Sequence, residues 1–70
     1  VMQPVLADDL MPGDIALIKL ETTPQHLGII SDYPGGGLGL IHAYAAARKV
    51  VEHRLDDVWC KRIMSGFRIR

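Results

Sequence analysis

The chain has one cysteine, Cys60, in 70 residues. That excludes an internal disulfide framework, the usual support of very small secreted domains. No apolar run approaches the roughly 18 residues of a membrane-spanning helix. No repeat and no low-complexity segment is present. Net charge is absent too, with eight basic residues against eight acidic ones. Charge alone therefore argues neither for nor against a nucleic-acid partner, and none is expected. Seventy residues allow one domain at most, and a chain of that length buries only about 60% of its unfolded surface. The first residue is Val1, not Met, as expected of a processed chain or a piece of a longer one.

The charges that are there divide unevenly. Residues 1–47 hold one basic residue, Lys19, and five acidic ones, whereas residues 48–70 hold seven basic and three acidic. The basic tail reads as a solvated face that could meet an anionic surface. Pro12-Gly13-Asp14 punctuates the chain before the apolar run Ile15 to Leu20, which reads as a buried strand. Residues 25–32, "QHLGIISD", predict a second strand, and Gly28 within it signals close backbone approach. "YPGGG" (33–37) predicts a turn; no following helix and lysine accompany it, so it is not a phosphate loop. "LGLIHAY" (38–44) and "ARKVVEHRL" (47–55) predict a third and a fourth strand. In "LDDVWCKRI", Leu55, Val58, Trp59 and Ile63 share one face of a short helix, with Asp56 or Asp57 as its cap. "GFRIR" predicts a last short strand. The expected fold is α+β: an antiparallel meander of four to five strands with one short helix.

Two histidines stand on either side of the glycine turn. If Ile30 pairs with Leu38, His26 pairs with His42 on one face of the hairpin. One imidazole could then act as a general base while the other orients it. Ordinary strand packing is the alternative. A metal site would need a third and usually a fourth ligand; His53 and Cys60 are available but lack metal-motif spacing. Tyr44, two residues after His42, shares its face and would line a cleft or pack. Trp59 reads as core.

"PGDIALIKL", "HLGIISD" and "LIHAY", in this order, resemble the second half of the NlpC/P60 family of cysteine peptidases. That family carries a PGD turn leading into an apolar strand, then H-x-G-[IV], then [IVL]-H-A. The tail "VVEHRL…VWCKRIMSGFRI" resembles the phage and prophage branch. The likeness spans about residues 10–70, nearly the whole chain. It implies the β half of a papain-like fold and hydrolysis of peptidoglycan stem peptides without a cofactor. It implies His26 as general base and His42 as its orienting partner, and if Tyr44 lines the cleft it stands on the substrate side. It also implies residence in a virion tail or at the cell wall.

The family's nucleophile is a cysteine in a D-C-x-G-like segment before the PGD turn, and no such segment occurs in these residues. Residues 1–70 are therefore expected to be a single partial domain, inactive alone. Cys60 follows both histidines, the reverse of the family order, and reads as an incidental free thiol whose neighbours Lys61 and Arg62 would favour thiolate. The other expectation is a non-catalytic binding or structural module of a phage tail assembly, associating with itself or with tail proteins.

Overall fold

The computed structural model of the chain describes residues 1–20, 26–44 and 48–69, with the side chain of Tyr44 outside that set. Among the described residues there are six strands: β1 (Met2–Val5), β2 (Ile15–Ile18), β3 (His26–Asp32), β4 (Leu38–Tyr44), β5 (Lys49–Arg54) and β6 (Ile63–Ile69). A 3-10 turn covers Ala7–Asp9, and one α-helix, α1, covers Asp57–Cys60. The strands form one sheet in the order β1-β6-β2-β3-β4-β5, and every neighbouring pair is antiparallel.

The expected α+β meander of four to five strands is therefore corrected to a β-rich, six-stranded sheet with one turn of helix. Strands β2 to β5 do run as a meander, but β6 returns to pair with β2, and β1 lies outside it. β1 escaped the sequence reading because Pro4 sits in its middle. A proline is tolerated there because β1 is an edge strand. The helix is shorter than the expected 55–63 because the chain turns at Lys61 and enters β6 at Ile63. Its predicted cap is real: Asp56 accepts a hydrogen bond from the Trp59 backbone N–H at 3.0 Å. Val58 leaves the predicted apolar face and is 57% exposed. The predicted strand ends at Gln25, Ala47 and Arg70 lie outside the described residues.

Strand alternation divides the sheet into two unlike faces. Ala16, Ile18, Ile30 and Leu40 point to one face and are essentially fully buried. Leu10 joins them, and Val5, Leu20, Leu38, Leu55, Trp59 and Ile63 pack around this cluster. On the other face, Leu27, Ile29 and Val50 remain at least half exposed.

The PGD turn ties this sheet together. Gly13 has φ +94°, which glycine adopts without strain, and its N–H donates to the Ile30 carbonyl at 2.8 Å. The Asp14 carboxylate is buried. It accepts from the Met11 backbone N–H at 2.8 Å and from two nitrogens of Arg68 at 2.9 Å each. This bidentate pair joins the start of β2 to the end of β6, 54 residues later.

The two faces should respond differently to truncation. Leu40→Ala should cost about 2–5 kcal/mol, whereas Leu27→Ala, on the open face, should stay within about 0.5 kcal/mol. Urea denaturation midpoints of the two variants check the assignment.

Candidate functional site

The site lies on the buried face, where β3, β4 and β5 run side by side. The register pairs Gly28 with His42, Ile30 with Leu40 and Asp32 with Leu38. The expected pairing of Ile30 with Leu38, and so of His26 directly with His42, is thus wrong by two residues. A shift of two preserves the face, whereas a shift of one would have reversed it. His26 and His42 are diagonal neighbours, and their rings meet: His26 Nε2 lies 2.8 Å from His42 Nδ1.

Gly28, opposite His42, permits this approach of β3 to β4. A Cβ there would stand 2.6 Å from Leu40 Cδ1 and 3.3 Å from the Ile41 carbonyl oxygen. The glycine turn is held from β5, since Arg54 donates from Nη1 to the Gly36 carbonyl at 2.7 Å and lies over the Tyr33 ring. It works as a clamped turn between the two histidine strands.

A third histidine completes the group. β5 pairs His53 with Leu40 and Val51 with His42, so His53 is diagonal to His42 on the same face. His42 Nε2 lies 2.8 Å from His53 Nε2, and His53 Nδ1 lies 2.9 Å from the Arg54 carbonyl oxygen. The three imidazoles form a row across three strands, with successive rings nearly perpendicular, at 84°. Trp59 of α1 covers the row, its ring 4.9 Å from that of His42 and 4.7 Å from that of His53. Arg62 lies over the Trp59 ring. The tryptophan expected as core thus packs against both the core and the histidines.

Sequence reasoning weighed His53 only as a metal ligand. The signal for its real place was available: Val51 and His53 alternate in "VVEHRL", so a strand there beside β4 sets His53 on the His42 face. The ring nitrogens bond to one another in sequence and do not converge on a common point. Among the described residues no group of three or more His, Cys, Asp or Glu is arranged to hold a metal ion.

His42 is 3% exposed. Burial, then His53, then His26, lower its pKa from 6.5 to about 4. Cys60 is exposed and its thiol donates toward the Leu55 carbonyl at 3.8 Å. The expected thiolate-favouring effect of Lys61 and Arg62 is reversed: partial burial, then Asp57, Asp56 and Asp8, raise the thiol pKa. Cys60 makes no hydrogen bond to any of the three histidines. Tyr44 ends β4, two residues beyond His42, and the role expected of its side chain falls outside the described residues.

Compared with protein-family models, with curated proteins and with solved structures, the chain matches none. No helix among the described residues is long and apolar enough to cross a membrane.

The neutral state of His42 carries a pH signature. Its folded pKa lies below the unfolded value, so on acidification the unfolded chain takes up this proton first. The contribution is complete above pH 6.5 and is lost as the pH falls from there to about 4. Denaturation midpoints should decline across that window, while the His42 ring resonances remain those of a neutral imidazole until the pH nears 4.

Proposed function

We propose that these residues form the sheet half of a cysteine peptidase of the NlpC/P60 kind, acting on peptidoglycan stem peptides at the cell wall or from a virion tail. The observation that carries this reading is the 2.8 Å contact between His26 and His42. These are the two histidines that the motif resemblance assigns as general base and orienting partner. The chemistry needs a thiol beside His26. Cys60 does not supply it, since its sulfur faces the Leu55 carbonyl and its pKa is raised, whereas a nucleophilic cysteine needs a lowered one. The nucleophile is therefore assigned to a residue outside these 70.

With that thiol in place, His26 removes its proton and the thiolate attacks the scissile carbonyl. The protonated His26 returns the proton to the departing amine, leaving a thioester. Water then gives a proton to His26 and attacks the thioester, which releases the acid and restores the thiol. Tyr44, two residues past His42 on the same strand, keeps the substrate-binding role expected from the sequence.

A separate observation favours a second reading. Leu27, Ile29 and Val50 lie exposed on the sheet face away from the histidines, with Ile15 and Ile41 beside them. Such a face suits a non-catalytic module that associates with its own copies within a tail assembly.

The 70-residue chain should show no turnover of stem peptides. A longer polypeptide with an upstream D-C-x-G-like segment should cleave them, and His26→Ala should reduce its kcat/KM by about 100- to 10,000-fold. Cleavage by the longer form that persists in the His26 variant would sink the peptidase reading. Sedimentation decides the second reading, which fails if the chain stays monomeric at every concentration tested.

A further inference from the structure

The hydrogen-bond row has a direction, and the group at its far end sets it. A backbone carbonyl can only accept. His53 Nδ1, 2.9 Å from the Arg54 carbonyl oxygen, therefore carries a proton. In neutral His53 the other nitrogen, Nε2, is then a lone pair. It faces His42 Nε2 at 2.8 Å, so His42 must donate from Nε2. The remaining nitrogen of neutral His42, Nδ1, is then an acceptor, and it faces His26 Nε2 at 2.8 Å, so His26 donates from Nε2. One nitrogen is left over: Nδ1 of His26, unprotonated and without a hydrogen-bond partner among the described residues.

We propose that His53 is a positioning residue that transmits the polarity of the Arg54 carbonyl through His42 and makes Nδ1 of His26 the basic atom of the site. The lowered pKa of His42 agrees with this, because a neutral central ring is what the row requires. A protonated His42 would set two donors against each other at its contact with His26. Were the row to run the other way, His26 would carry its proton on Nδ1 and have no free lone pair.

The assignment concerns the ring protons alone. Its use in catalysis rests on the peptidase reading above, and the two can fail separately. Long-range proton–nitrogen correlation spectra of the intact chain, with ¹⁵N-labelled histidine, at neutral pH report the tautomer of each ring directly. The expected pattern is Nε2–H for His26 and His42 and Nδ1–H for His53. Nδ1–H on His26 or His42 in the unaltered chain would overturn the proposal, and this needs no variant to fold. His53→Phe removes the acceptor facing His42, so the single tautomer of His26 should be lost to a mixture of both forms. His53→Gln, whose amide oxygen can accept from His42 Nε2–H, should restore it. A folded His53→Phe chain in which His26 keeps its single tautomer would show that His53 does not set the direction. A failed peptide-cleavage assay with the tautomers in place would count against the peptidase reading only.

Discussion

The candidate site depends on one buried ring. His42 is 3% exposed and both of its nitrogens are taken by other imidazoles. A buried polar side chain must find its partners within the protein, because an unmade hydrogen bond costs its desolvation in full. Here those partners are His26 and His53, so the burial of one residue recruits two more from neighbouring strands. Trp59 completes the arrangement by covering His42 and His53 with an apolar ring. Around His42 the lower local polarity strengthens the bonds it makes.

Three strands can hold these rings only if the sheet keeps its register, and the register is anchored far from the histidines. The Asp14 carboxylate joins the turn before β2 to Arg68 near the end of β6. A domain of this size, with a small core and no disulfide, gains more from such a clip than a large one would. Sequentially distant strands are locked together, and the loop-closure entropy of the chain between them is met once. β2 in turn pairs with β3, and β3 with β4. The PGD segment therefore acts on the site through strand alignment.

Much of this was legible in the sequence, and the misses have physical causes. The shared face of His26 and His42 follows from alternation and survived an error of two in the register. The error came from the turn. The hairpin closes at Asp32 and Leu38, with Tyr33 N–H donating to the Gly37 carbonyl at 3.1 Å, one pair tighter than the alignment of Ile30 with Leu38 assumed. Gly36 and Gly37 adopt positive φ, and a glycine run permits several turn lengths, so composition alone could not choose among them. β1 was hidden by Pro4, and its pairing with β6 is a long-range contact that no local pattern encodes. The helical spacing from Leu55 to Ile63 was real in part: Leu55, Trp59 and Ile63 do pack on the core. Ile63 does so from a strand, because pairing with β2 overrides the weak propensity of a single helical turn. Cys60 was misjudged for a related reason. Adjacent cations in sequence mattered less than the partial burial of the thiol and the acids Asp57, Asp56 and Asp8 near it.

The identity of the terminal acceptor decides what kind of base the row makes. A carboxylate at its end would stabilise a positive charge on the neighbouring imidazole and draw the proton inward. A carbonyl carries no charge, so it fixes a tautomer without strongly favouring an imidazolium beside it. The buried centre resists charge as well, since His42 is held neutral down to about pH 4. His26 stands at the start of β3 and is less buried than His42.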